Sequence, residues 1–161
     1  MKPDKKTVLA WLEQVKDPEI PTVSLIDLGV ITDVLIDEDN HVTVKMTPTF
    51  AGCPAMDYMR NEVEEVLKNK GVTRFTVEMN FDTQWSSNNI TEKGLQGLKK
   101  HGLAPPPRYQ KVVDLDILEH IECPHCGSKQ TVMKSPFGPT LCRSLHYCNH
   151  CRQAIEQFKP V

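Results

Sequence analysis

The sequence predicts an α+β protein: a small α/β sandwich in the order helix-strand-strand-helix-strand-helix, followed by a C-terminal zinc ribbon. Three observations carry that prediction. Val42, Val44 and Met46, and again Phe75, Val77, Met79 and Phe81, alternate with the two-residue period of a strand covered on one face. Met56, Met59, Val63, Val66 and Leu67 recur at three- and four-residue steps, the spacing of an amphipathic helix. Cys123-Pro124-His125-Cys126 and Cys148-Asn149-His150-Cys151 are two C-x2-C knuckles with 21 residues between them, a spacing that lets two pairs of sulfurs face one ion.

The elements follow in order. Asp4 is a plausible cap for a first helix over residues 4–16, whose apolar face is Val8, Trp11, Leu12 and Val15. Pro18 pushes Asp17 out of the helical region and ends it. The loop Asp17-Pro18-Glu19-Ile20-Pro21, continuing through Ser24, Asp27, Leu28 and Gly29, gathers acids that are either hard oxygen ligands or caps of backbone N–H groups. Val30–Ile36 and Val42–Met46 read as strands, joined by the polar turn Asp37-Glu38-Asp39-Asn40-His41, in which His41 is a solvated loop residue. The Met56 helix stops at Gly71, and the third strand follows. Asp82–Asn89 reads as a polar loop containing Trp85. Thr91 caps a helix running to His101 with Gly102 as its stop, although Gly94 and Gly97 inside it lower helix propensity. Ala104-Pro105-Pro106-Pro107 must be extended and is the natural linker. Residues 112–121 are expected to return as a strand or short helix. The expected domains are thus 1–103, a linker and connecting segment over 104–122, and the ribbon at 123–161.

One cysteine stands apart from the rest. In Thr47-Pro48-Thr49-Phe50-Ala51-Gly52-Cys53-Pro54, Pro54 suits the first position of the helix, which would make Cys53 its N-cap. There the unpaired N–H groups and the macrodipole would favour the thiolate, the form that attacks electrophiles and binds metals. Gly52 leaves room for a ligand or partner to approach. The plainer alternative is a small buried cysteine filling a helix start.

Cys123, Cys126, Cys148 and Cys151 form a closed tetrathiolate set with no open position for substrate, so its role is folding rather than catalysis. Zinc is the expected ion, with rubredoxin-like iron or a redox-active pair as alternatives. A 39-residue segment is too short to bury a sufficient core without such a staple. His125 and His150 are expected to be solvated. Cys142 is an apolar filler, a substitute ligand or a second reactive thiol, in that order.

Bulk numbers constrain the rest. The 161 residues, 39% hydrophobic and 25% charged, are those of a soluble globular chain, with room for one ordinary domain and an appendage. There is no apolar run of membrane-spanning length and no leader-like N-terminus, so the expected location is cytoplasmic and no membrane partner is expected. Six cysteines without a leader argue for metal or redox chemistry before disulfides. Residues 1–122 carry 14 Lys/Arg against 20 Asp/Glu, whereas residues 123–161 carry 5 against 1. The basic ribbon lacks interleaved aromatics, so an acidic protein surface suits it better than nucleic acid.

The stretches Asp17-Pro18-Glu19-Ile20-Pro21…Ser24…Asp27-Leu28-Gly29-Val30 and Thr47-Pro48-Thr49…Gly52-Cys53-Pro54-Ala55-Met56 resemble the two signatures of the SufT-like iron–sulfur assembly domain family, over roughly residues 5–82. Followed by a Trp85 loop, Leu103-Ala104-Pro105-Pro106 and a four-cysteine ribbon, the whole is similar to the PaaD-like family of phenylacetate-degradation proteins. The resemblance implies an accessory component of the oxygenase that epoxidises the ring of phenylacetyl-CoA, helping to mature or repair metal centres. Its implied partners are the oxygenase components, especially the iron–sulfur reductase, with a homo-oligomer also open. The family's reactive cysteine falls on Cys53, and its acidic motif falls on Asp17, Pro18 and Glu19. Cys53, with Asp17 and Glu19, would transiently hold iron or an iron–sulfur cluster, the missing ligands coming from a second copy or the client. The alternatives are a non-catalytic scaffold subunit in which Cys53 is structural, and a Cys53 enzyme, which His41 is badly placed to serve as base. An accessory or assembly factor therefore fits better than a stand-alone catalyst.

Overall fold

A computed structural model describes residues 2–108 and 119–160. The strand or helix expected over 112–121 lies largely outside the described residues. Two compact units are present, Met1–Trp85 and Ser86–Val161.

The first unit is organised by a three-stranded sheet. Helix α1 (Lys5–Leu12) starts where Asp4 Oδ1 accepts from the Thr7 N–H at 2.7 Å, as the cap rule expects. It ends at Glu13, short of the expected residue 16. Strands β1 (Ile31–Ile36) and β2 (Val42–Met46) form an antiparallel pair, and β3 (Phe75–Met79) lies parallel to β2, giving the order β1-β2-β3. Helix α2 (Met56–Asn69) makes the crossover that a parallel pair requires. Val34, Val42, Val44, Met46 and Val77 from the strands, Val8 and Leu12 from α1, and Met59, Val63 and Leu67 from α2 are all buried. The loop after α1 is equally part of the core, since Ile20, Val23, Leu25, Leu28 and Val30 are each nearly inaccessible. It is therefore a fixed structural segment rather than a tether.

In the second unit, helix α3 (Glu92–His101) is capped by Thr91 Oγ1, which accepts from Gly94 N at 3.0 Å, and stopped by Gly102 at φ 92°. Gly94 and Gly97, whose helix propensity is low, are both buried. The short strand β4 (Leu103–Ala104) pairs in parallel with β7 (Ala154–Phe158), which pairs with β6 (Arg143–Cys148) and through it with β5 (Thr131–Ser135). Leu103 and Ala104 are thus sheet residues, and α3 is joined to that sheet by the chain it precedes. The division between compact units accordingly falls ahead of the proline run, at Trp85/Ser86.

Candidate functional site

Because β2 and β3 run parallel and β1 antiparallel to them, three connecting segments meet at one end of the first sheet: the one entering β1, and those leaving β2 and β3. Hydrogen bonds lock them together. Thr47 N donates to Val30 O at 2.8 Å, and Asn80 N donates to Met46 O at 2.7 Å. The Trp85 indole N–H, buried within the fold, reaches back to Leu28 O at 3.0 Å. Trp85, expected in a polar loop, is instead the latch of this end of the unit.

Cys53 lies in the middle segment, half-buried and outside any disulfide. It is not the N-cap. That position belongs to Ala55, with helical backbone angles and no side-chain cap, and α2 begins at Met56. Cys53 O instead accepts from Met56 N at 3.3 Å, closing a turn with Pro54 in its second position, where the fixed φ of proline is equally at home. Gly52 holds φ +77°, and a Cβ built there would meet no heavy atom within 4 Å. The lip beside the thiol is therefore open, as expected from the glycine. Gly52 is also the residue type that adopts this backbone without strain.

The acids of the first loop are partly committed to the backbone. Asp17 Oδ1 accepts from Glu19 N at 2.8 Å and Ile20 N at 2.9 Å. Ser24 Oγ donates to Asp27 Oδ2 at 2.8 Å and accepts from Asp27 N at 3.0 Å, with both residues buried. Such local bonds fix the chain where it bends into β1.

The four-thiol centre is built from two matched knuckles. Gly127 N donates to Cys123 O at 2.8 Å, and Arg152 N donates to Cys148 O at 2.9 Å. The residue after each second cysteine is left-handed: Gly127 at φ 73° and Arg152 at φ 59°. Sγ of Cys123 lies 3.7 Å from Sγ of Cys151, and that of Cys126 lies 3.6 Å from that of Cys148. A tetrahedral ion with metal–sulfur bonds of about 2.3 Å requires sulfur–sulfur edges of about 3.8 Å, so the donor set fits a metal ion of that size. Among the described residues this is the one group of three or more potential ligand atoms lying within 4.8 Å of one another. Cys53, Asp17 and Glu19 do not form such a group. For the four thiols by themselves, the Cys151 backbone N–H pulls Cys148 down to about 7, whereas burial pushes Cys151 up to about 12. A bound cation is what allows all four to ionise together. Cys123 and Cys148 belong to the small core with Ala104, Ile121 and Ile155.

His125 and His150 are exposed beside this centre. Cys142 stands outside it, half-buried, with Sγ 3.1 Å from Thr140 Oγ1. His41, in the β1–β2 turn, has Nε2 2.8 Å from Thr76 Oγ1 of β3. Sequence reasoning missed His146, which is fully inaccessible with Nε2 2.9 Å from Ser144 Oγ. The alternation of Ser144, His146 and Cys148 along β6 was the available signal. No helix among the described residues is long and apolar enough to cross a membrane.

Comparison with known proteins bears on both units. Residues 5–79 match the family described as "Iron-sulfur cluster assembly protein", and residues 110–159 match the "PaaD zinc beta ribbon domain". The chain is 31% identical over 159 residues to an Escherichia coli K12 protein provisionally named as a subunit of 1,2-phenylacetyl-CoA epoxidase, covering 99% of this chain and 94% of that one. It is 34% identical over 92 residues to an Fe-S protein maturation auxiliary factor of Porphyromonas gingivalis, covering 56% of this chain and 87% of that one. Among solved structures, a domain of unknown function from Bacillus anthracis superposes with a TM-score of 0.55 at 30% identity, over 58% of this chain and 90% of that one. A conserved hypothetical protein of Thermotoga maritima gives 0.52 at 32% identity, over 59% and 93%.

Fold and donor set together define an iron–sulfur cluster assembly domain coupled to a metal-binding β ribbon. With that pairing and near-full-length similarity, the chain belongs to the PaaD family.

Proposed function

We propose that this protein is an accessory factor of the phenylacetyl-CoA ring-epoxidising oxygenase, acting in maturation of an iron–sulfur cluster or related metal centre through Cys53. The observation that carries the reading is the combination of a half-buried thiol, behind an open glycine lip, with a fold shared by iron–sulfur maturation factors, in a chain similar from end to end to an epoxidase component. Asp17 and Glu19 are the oxygen donors nearest in kind to the family's acidic motif. They are not gathered around Cys53 into a ligand set, so the cargo would be held incompletely and released to a client that supplies the remaining ligands. The ribbon would bind Zn2+ through Cys123, Cys126, Cys148 and Cys151 as a structural centre, leaving the assembly chemistry to the first unit. The client would be one of the oxygenase components, with the iron–sulfur reductase first, and the setting is the cytoplasm. The proposed functional parts are the assembly domain at 1–103, of which residues 86–103 belong to the second compact unit, the connecting segment at 104–122 and the ribbon at 123–161.

The test is anaerobic loading with iron and sulfide, comparing wild type with Cys53→Ser, followed by activation of the apo-reductase. Loss of bound cluster and of activation, with zinc content unchanged, is expected. Equal loading and equal activation would remove Cys53 from the chemistry and leave the scaffold reading, in which the protein co-purifies with the oxygenase in fixed stoichiometry.

A further inference from the structure

We propose that the rim around the Cys53 loop is a docking surface for a protein partner presenting a cationic surface with an apolar recess. It deepens the reading of Cys53 above, since the partner it would receive is the client of that thiol.

Charge is the first observation. The segments that meet at this end of the sheet, residues 17–30, 46–59 and 79–85, contain no Lys or Arg at all, yet they carry Asp17, Glu19, Asp27, Asp57 and Asp82. Asp27 is spent inside the fold on Ser24, while Glu19, Asp57 and Asp82 are exposed. Lys16, Lys45 and Arg60 flank these segments directly. Arg60 is drawn along α2 to Glu64 at 3.3 Å, Lys45 acts on Asp33, and Lys16, beside Ser24, is the base left at the edge. The rim is therefore predominantly acidic. An acidic rim disfavours nucleic acid and anionic lipid and accelerates encounter with a cationic surface.

Aromatic exposure is the second. Phe81 is 70% exposed and Tyr58 is 52% exposed, and both belong to this end of the unit. Phe81 follows Asn80, whose N–H is tied to Met46 at the foot of the Cys53 loop. Tyr58 stands in the first turn of α2, immediately after the turn that Cys53 closes. Both side chains thus project from backbone already fixed by hydrogen bonds, so little further ordering of the main chain is needed when they are covered. Aromatic anchors within a charged rim are the usual anatomy of a protein interface. Acidic character argues for a folded protein partner over a membrane, which would otherwise be a fair home for an exposed phenylalanine.

Purified full-length protein is to be titrated against the separate epoxidase components, the apo-reductase first, at low and high salt, with Phe81→Ala, Tyr58→Ala, Asp82→Lys and Cys53→Ser beside wild type. Far-UV circular dichroism and iron-and-sulfide loading serve as controls for fold and thiol. Phe81→Ala is expected to weaken association roughly tenfold, Tyr58→Ala to weaken it less, and Asp82→Lys to slow association and flatten its salt dependence, with loading unchanged in all three. Cys53→Ser should lose loading and keep docking. The proposal falls if wild type binds none of the components, if the three rim variants bind like wild type, or if the same variants abolish binding to RNA or phosphatidylserine vesicles instead. Normal loading by Cys53→Ser alongside weak docking by Phe81→Ala would overturn the Cys53 reading and leave the docking surface standing.

Discussion

The two knuckles permit a test in which one backbone feature predicts opposite signs at two positions. Gly127 and Arg152 occupy equivalent places, both with positive φ, but only one has the residue suited to it. An L side chain in the left-handed region costs about 1–2 kcal/mol. A glycine there is offset by the extra freedom of the unfolded chain, worth about 0.4–1 kcal/mol. No heavy atom lies within 4 Å of a Cβ added at Gly127, so Gly127→Ala meets backbone strain without crowding and should destabilise by about 1 kcal/mol. Arg152 is exposed, so Arg152→Gly gives up little packing and should stabilise by about 0.5–1 kcal/mol. Because folding of a small ribbon and metal binding are one equilibrium, these changes should appear as metal affinity. One kilocalorie corresponds to about a fivefold change in binding constant. Competition for zinc against a chromogenic chelator at fixed pH should rank Arg152→Gly above wild type and wild type above Gly127→Ala. A shift of both variants in the same direction would refute the argument, because it would mean that the side chains, not the left-handed backbone, set the difference.

Trp85→Phe keeps most of the bulk but removes the donor to the buried Leu28 carbonyl, and should cost about 1–3 kcal/mol; an unchanged urea midpoint would show that the latch is dispensable. Asp17→Ala should lose about 1–2 kcal/mol by stripping the acceptor from two backbone N–H groups, while Asp17→Asn, which keeps an acceptor, should stay close to wild type. If Asp17→Asn proves as unstable as Asp17→Ala, charge rather than capping is what matters there. The Lys5 ammonium, bonded to Asp33, and the Val34 N–H hold the Asp33 carboxyl below its ordinary 3.8. A depressed folded-state value stabilises above the unfolded pKa and fades as pH falls through the folded one. Wild type and Asp33→Asn should therefore differ slightly at neutral pH and converge in strong acid, and curves that diverge on acidification would contradict this.

Much of the fold was legible because it rests on local signals. The alternation over Val42–Met46 gives a strand at the expected residues, and Thr91 and Gly102 bound α3 as their backbone chemistry requires. The two C-x2-C knuckles gather their sulfurs as their spacing implies. What was not legible depends on distant partners or on ambiguous residue preferences. Pro54 suits both the first position of a helix and the second position of a turn, and only the Cys53–Met56 hydrogen bond decides between them. Trp85, a lone aromatic among polar residues, has no periodicity to betray its burial, which is fixed by a carbonyl 57 residues earlier. Likewise, that Leu103 and Ala104 belong to a sheet could not be read from a proline-rich run, because their partners are Glu156 and Gln157. The acidic motif read as possible ligands shows Asp17 at least capping backbone groups, a use that leaves the same residues in the sequence.

The strand order of the second sheet bears on how the chain emerges from the ribosome. Among the described strands of this sheet β7 is made after the others, yet it lies between β4 and β6, so neither neighbour has its full set of hydrogen bonds until translation has passed Phe158. The first sheet is complete once Met79 is out, and the latch on its Cys53 end once Trp85 has followed, so this unit can fold while the rest is still being synthesised. A nascent chain would thus carry a finished Cys53 loop for some time before its ribbon can close around a metal.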